Sequence, residues 1–131
     1  MHIAVTRDVI AGIEAEARAA HPRECCGILL GEGDRIDQVV PTANVHPAPD
    51  THFEIDPQAL IDAHRAARSG GPQVMGYYHS HPAGAAVPSE TDRAMAARDG
   101  TLWAIISADS LRFWSDDPDG FHALSYEIID P

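Results

Sequence analysis

Gly76-Tyr77-Tyr78-His79-Ser80-His81-Pro82, followed six residues later by Ser89-Glu90-Thr91-Asp92, is the stretch on which the reading of this chain turns. The aromatic-rich run Gln73–His79 reads as a strand, and Pro82, which has no N–H to give a ladder, terminates it. Residues two apart on a strand face the same way, so His79 and His81 would present two imidazoles side by side at its end. Ser89 starts the next helix, and Asp92, three residues on, lies on nearly the same side of it. The loop 83–88 folds that helix start back toward the histidines. Two histidines and a carboxylate are a usual catalytic zinc set, with a fourth position left for water. Each half also has a plainer reading. An isolated H-x-H is more often a solvated pair, and Ser-x-x-Asp is a capping box. The cap is compatible with a site role for Ser89 and competes with ligation at Asp92; it is the conjunction of the two halves that favours a metal.

Outward from this segment, strands and helices alternate. Met1–Val5 alternates as a short strand. Val9, Ile10, Ile13, Ala17 and Ala20 recur at helical spacing over Asp8–Ala20, and His21-Pro22 ends that helix. Cys26–Leu30 is a short apolar run that reads as a buried strand, with Arg35–Pro41 as its partner across the turn Gly31-Glu32-Gly33-Asp34. Asn44–Thr51 is loop, and His52–Asp56 alternates as a strand. Asp56 as cap and Pro57 at the first position start a second helix, which runs to Arg68 and stops at Ser69-Gly70-Gly71-Pro72. A third helix is expected over Ser89–Arg98. Leu102–Ser107 and Leu111–Ser115 form a hairpin, and Ala123–Ile129 supplies a last strand. Strands flanked by about three helices predict an α/β sandwich with a mixed β-sheet.

A chain of 131 residues, 44% hydrophobic and 22% charged, fits one globular domain over 1–131 with a core that needs no metal merely to fold. A metal here would serve chemistry. The net charge of −11 comes from twenty acidic and nine basic residues, with no basic stripe. This disfavours both a nucleic-acid backbone and an anionic membrane surface as partner. All nine basic residues are Arg; codon bias in a GC-rich genome is the plainer explanation for the absence of Lys, ahead of a reading in which a Lys-free enzyme escapes lysine-directed conjugation. Cys25 and Cys26 are adjacent, a poor geometry for a bridge, and lack C-x-x-C spacing. With no signal peptide and no membrane-spanning run, a cytoplasmic location with both thiols reduced and non-nucleophilic is expected.

The second informative stretch is His21-Pro22-Arg23-Glu24-Cys25-Cys26-Gly27-Ile28-Leu29-Leu30-Gly31. A charged Glu immediately before a buried strand is unfavourable unless it faces a site; taken alone, a solvated residue at a helix–strand junction is the simpler reading. Together, the pattern E…H-S-H-P-x6-S-x2-D resembles the JAMM (MPN-plus) metalloprotease family. Pro22-x-Glu24-x-Cys26-Gly27-x-Leu29-x-Gly31 is similar to the family's amino-terminal signature and Gly76–Pro82 to its central one, and the likeness extends over essentially the whole chain.

The resemblance implies a cytidine-deaminase-like three-layer sandwich and one zinc per chain, held by His79, His81 and Asp92. It implies Glu24 as general base and Ser89 as a group that helps hold the oxyanion of the tetrahedral intermediate. Every motif position is filled, unlike in the ligand-poor MPN-minus branch. The activity implied is hydrolysis after the C-terminal Gly-Gly of a ubiquitin-like or sulfur-carrier protein. Without long insertions, the chain looks like the small prokaryotic branch, where tail trimming, deconjugation and release of a carrier-bound cysteine all remain open. The Gly-Gly tail is expected to add to an exposed sheet edge beside the metal. A non-catalytic MPN-type scaffold that binds a ubiquitin-like protein is the alternative. A zinc nucleobase deaminase would need H-x-E and P-C-x-x-C, which are absent. His2, His21, His46, His52, His64 and His122 are expected to be non-ligands, with His21 the one nearest Glu24. Whether the chain forms a homodimer stays open.

Overall fold

Seven strands and three helices make up residues 2–131, which a computed structural model describes; Met1, the start of the first expected strand, lies outside the described residues. Their order is β1 (His2–Thr6), α1 (Arg7–Ala20), β2 (Cys26–Glu32), β3 (Arg35–Thr42), α2 (Pro57–Arg68), β4 (Gln73–Ser80), α3 (Glu90–Met95), β5 (Leu102–Ile106), β6 (Leu111–Asp117) and β7 (Gly120–Ile129). The helix starts are chemically specified. The Thr6 hydroxyl accepts the Val9 N–H at the head of α1, and Asp56 accepts the Gln58 N–H at the head of α2, with Pro57 in the first turn.

The strands hydrogen-bond in the order β1-β3-β2-β4-β5-β6-β7, and β1 pairs in parallel with both β3 and β7, so the sheet closes into a ring. The strand carrying His79 lies inside this sheet, antiparallel to β2 and parallel to β5, with Cys26, His79 and Ile105 abreast. Two hydrophobic layers follow from strand alternation. Ile3, Val5, Leu29, Tyr78 and Phe113 pack with Val9 and Ile13 of α1. Cys26, Ile28 and Leu30 pack on the other face with Tyr77 and with Leu60 and Ala63 of α2. Helices thus lie on both faces of a mixed sheet, as expected. Cys25 and Cys26 are buried free thiols, Cys26 fully so, filling core space as small apolar groups. Among the described residues no helix is long and apolar enough to cross a membrane.

Four local expectations are corrected. The exposed sheet edge beside the histidines is absent, because β4 is paired on both sides. The β2–β3 turn is tighter than expected: both strands extend until only Gly33-Asp34 joins them, with Gly33 at φ +64°. Gly31 lies within β2, where a Cβ would collide with the Arg35 carbonyl oxygen.

His52–Asp56 is not a ladder strand and carries a single bridge, Asn44 to Ile55. The Asn44 side chain takes the place of a partner strand: its Nδ2 donates to the His52 carbonyl at 2.9 Å and its Oδ1 accepts the Glu54 N–H at 3.1 Å. Helix α3 ends at Met95, three residues short of Arg98. Asp116 draws the chain away there, since its Oδ2 accepts the Arg98 N–H and its carbonyl the Gly100 N–H.

Candidate metal centre

His79 is the penultimate residue of β4, at its buried end, and His81 follows one residue beyond the strand. Their side chains meet the carboxylate of Asp92 from α3. His79 Nε2 lies 3.0 Å from Asp92 Oδ1, His81 Nε2 lies 3.1 Å from Asp92 Oδ2, and the two Nε2 atoms are 3.1 Å apart. The three residues form a group whose ligand atoms all lie within 4.8 Å of one another. Ligands about 2.0–2.1 Å from a tetrahedral zinc are separated by roughly 3.3 Å. The donor spacing therefore suits a small dication with only slight outward relaxation, and two imidazoles with one carboxylate are borderline-soft donors of the right kind.

Each donor is aimed by something else. His81 Nδ1 is 2.7 Å from the Ala85 carbonyl; a proton held there leaves Nε2 free toward the centre. His79 is stacked on Phe53, with ring centroids 4.3 Å apart, and is met edge-on by Trp103 at 5.5 Å. The capping box at the head of α3 does form. Ser89 Oγ accepts the Asp92 N–H, and Asp92 Oδ2 accepts the Ser89 N–H, both at 3.0 Å. The two readings of Asp92 coexist, because Oδ2 caps the helix while Oδ1 faces His79. Ser89 Oγ accepts from the backbone there, so its own hydroxyl hydrogen remains to donate elsewhere.

Burial sets the protonation pattern. Burial holds His79 below its ordinary value, keeping it in the neutral form that binds metals, against the pull of Asp92. His81 is pushed down by burial, but hydrogen bonds with Asp92 and the Ala85 carbonyl outweigh this and leave it raised. Burial also works to raise Asp92, yet its bonds with His79 and His81 and the Ser89 N–H take it well below the carboxylate range.

Glu24, just before β2, is 7% exposed. Burial raises its carboxyl to about 7, with the charge of His81 opposing and that of Asp92 adding. Those two charges register at Glu24, yet it stands outside the triad's direct contacts. Its backbone is fixed on both sides: the N–H donates to Pro49 at 2.7 Å and the carbonyl accepts from Asn44 Nδ2 at 3.0 Å.

All five residues singled out in the sequence are thus accounted for: His79, His81, Asp92 and Ser89 in one contact network, and Glu24 in electrostatic range of it. His21 instead lines a cavity of about 580 Å³ with Glu14, Ser80 and Pro82, on the α1 side. His122 is not isolated from other ligand-type side chains. It has partners at ligand spacing, Asp117 at the end of β6 and Asp119 on the turn that follows. Asn44, Phe53 and Trp103 brace the centre and went unread in the sequence. An Asn in a loop otherwise rich in Pro and Asp was the one available signal.

Fold and donor set together define the class: an α/β domain of the JAB/MPN type with a His-His-Asp candidate metal site. More narrowly, the chain belongs to the prokaryotic homologs of the JAB domain, whose family model matches residues 6–117, the small prokaryotic side of the JAMM (MPN-plus) metalloproteases. It is 37% identical to a desampylase of Haloferax volcanii over 93% of this chain and 91% of that one. A probable TtuB-protein conjugate cleaving protease of Thermus thermophilus is 34% identical over 82% of this chain and 72% of its own length. The CysO-cysteine peptidase of Mycobacterium tuberculosis is 31% identical over 98% and 84%. A solution structure of a protein from Desulfitobacterium hafniense superposes with a TM-score of 0.86 at 29% identity, covering 100% of this chain and 94% of that one.

Proposed function

We propose that this chain is a zinc-dependent peptidase that cleaves after the C-terminal Gly-Gly of a ubiquitin-like or sulfur-carrier protein. The observation that carries the proposal is the convergence of His79, His81 and Asp92 beside a buried carboxyl, Glu24, whose pKa is raised to about 7. Relatives named for cleaving a TtuB-protein conjugate and for a CysO-cysteine peptidase activity support the substrate class. They leave deconjugation, tail trimming and release of a carrier-bound amino acid as variants of one reaction.

His79, His81 and Asp92 would hold one zinc per chain. A bound zinc supplies Lewis acidity and brings the pKa of a coordinated water toward neutrality. The remaining work falls to the chain. Glu24 takes the proton of the attacking water and delivers it to the leaving amine, a role suited to a carboxyl that titrates near the operating pH. With zinc bound by the triad, the Glu24 carboxyl would be held more in its ionised, proton-accepting form. The free hydroxyl hydrogen of Ser89 donates to the oxygen that becomes negative in the tetrahedral transition state. The extended segment 52–56, with its single bridge and with Phe53 against His79, offers backbone along which a tail can lie. Glycines in that tail permit the close approach.

The experiment is Glu24→Gln, with zinc content, melting temperature and cleavage of a Gly-Gly-linked substrate measured together. The amide keeps the shape but cannot accept the proton, so kcat should fall by ~10²–10⁴ with zinc and fold retained. Near-normal cleavage removes Glu24 from the mechanism. If the wild-type, zinc-loaded chain binds such substrates without hydrolysing any, the scaffold reading replaces this one.

A further inference from the structure

Beside the triad, on the face that carries His79, lies an open groove of about 270 Å³. Its walls include Phe53, Tyr77, Met95 and Trp103, and its far side carries Asp99 and Asp116. Asp116 stands out among these. It is 1% exposed, its Oδ2 accepts the Arg98 N–H at 3.0 Å, and its Oδ1 has no hydrogen-bond partner. A buried carboxylate oxygen without a donor is unfavourable unless something supplies one. Arg93 and Arg98 line an adjoining cavity of about 190 Å³ that also touches Asp116, but neither satisfies Oδ1.

Strand alternation puts Asp116 on the groove's face. Trp114 pairs with Trp103, and Asp116 lies two residues further along β6. We propose that this groove is a specificity subsite for a basic side chain of the substrate tail, its stem against Trp103 and Met95 and its cationic head on Asp116 Oδ1. The chemistry is that of a long amphipathic cation: apolar walls for the methylenes, and charge only at the end. Met95, 61% exposed at the rim, is the kind of flexible apolar surface on which such a stem packs.

The spacing selects a position in the tail. His79 is level with Ile105 and, through it, with Arg112; Asp116 is four residues past Arg112 and two strands from β4. At ~3.3 Å per residue and ~4.8 Å per strand, Asp116 lies roughly 16 Å from His79. Two extended glycines cover only about 7 Å of this. The residue before them must reach across the rest, which an Arg or Lys side chain does and a short one does not. This inference rests on the peptidase reading with its Gly-Gly tail.

Its test separates the two. Tail peptides identical except for Arg, Lys, citrulline or Leu before the terminal Gly-Gly are titrated into zinc-loaded Glu24→Gln protein, and fusions with the same tails are offered to wild type. Arg and Lys tails should bind and turn over at least ~10-fold better than citrulline or Leu tails, as a charge-assisted bond to a buried acceptor implies. Asp116→Asn, which keeps an acceptor for the Arg98 N–H, should bring that ratio close to one. Equal binding of all four tails, or a preference that survives Asp116→Asn, overturns the subsite. Equal cleavage of all tails overturns the subsite while the peptidase reading stands. Absence of any cleavage overturns the peptidase reading, and the binding ratio then decides the subsite alone. Because citrulline changes only the ligand, the result does not depend on the Asp116 variant folding.

Discussion

Among the described residues, two clusters gather three ligand-type atoms to within 4.8 Å, and they are built in opposite ways. His79 and Asp92 are buried and His81 nearly so, and each is fixed by a further group: Phe53 and Trp103 on His79, the Ala85 carbonyl on His81, the head of α3 on Asp92. Asp117 ends β6, Asp119 lies on the turn and His122 follows in β7, and Asp119 and His122 are exposed; their short contact is His122 Nε2 to Asp119 at 2.8 Å. Proximity is common to both. What the pair teaches is that a metal centre is defined by what holds its ligands when no ion is there to gather them. At the turn, water competes for every donor and the side chains must be ordered on binding; at the triad that ordering is already done by packing.

The comparison breaks most visibly at the metal. His81→Ala should drop zinc from one per chain to near zero after dialysis against a mild chelator, and abolish hydrolysis with it. The double change Asp119→Ala/His122→Ala should leave zinc content and activity at wild-type levels. Metal analysis giving the reverse result would make the turn the true site. The next largest effect is at Ser89, where two roles meet. Ser89→Ala should lower kcat by ~10²–10³ through the lost oxyanion donor and stability by about 1 kcal/mol through the lost cap. Ser89→Thr should restore much of both. A melting shift without a kcat change would leave Ser89 as a cap alone.

The smallest effect concerns the cost of burying Glu24 without a metal. Its carboxyl ionises near 4.5 when unfolded and near 7 when folded. A raised folded value means the proton stabilises the native state: that stability is fully present below about pH 4.5 and is lost as pH rises to about 7. Zinc-free Glu24→Gln, which carries no charge, should therefore gain on zinc-free wild type by roughly 1–3 kcal/mol between pH 4 and 8, after allowance for residual solvent contact. Urea melts at the two pH values measure it. A gap that narrows with pH would mean Glu24 is not buried as a neutral acid.

The triad was readable because its information is local. His79, Ser80 and His81 sit in consecutive positions, and Ser89 to Asp92 is one helical turn, so strand and helix periodicity alone bring the pieces together. Glu24 is 55 residues from His79, and no periodicity connects them; the family resemblance supplied that link. The start of α2 was readable from Asp56 and Pro57 for the same local reason; α1 begins at Arg7, one residue before the expected Asp8, on a Thr6 cap that the apolar periodicity does not show. Three features escaped because they depend on partners distant in sequence. The end of α3 is set by Asp116, 18 residues from the N–H it accepts. Segment 52–56 alternates like a strand but finds an Asn side chain where a neighbour would be. Closure of the sheet rests on β1 meeting β7 from the opposite end of the chain, in a register no short window contains.

The double duty of Asp92 bears on how the centre is filled and emptied. Because its carboxylate is pinned by the first turn of α3, that donor stands in position before any ion arrives. On the zinc reading proposed above, loading would wait on dehydration of the incoming ion rather than on a conformational search, and loss of the ion would leave a folded, ready receptor. The converse also holds: whatever frays the first turn of α3 loosens one ligand. On that reading the off-rate of a bound zinc would be a clock for the breathing of a single helical turn.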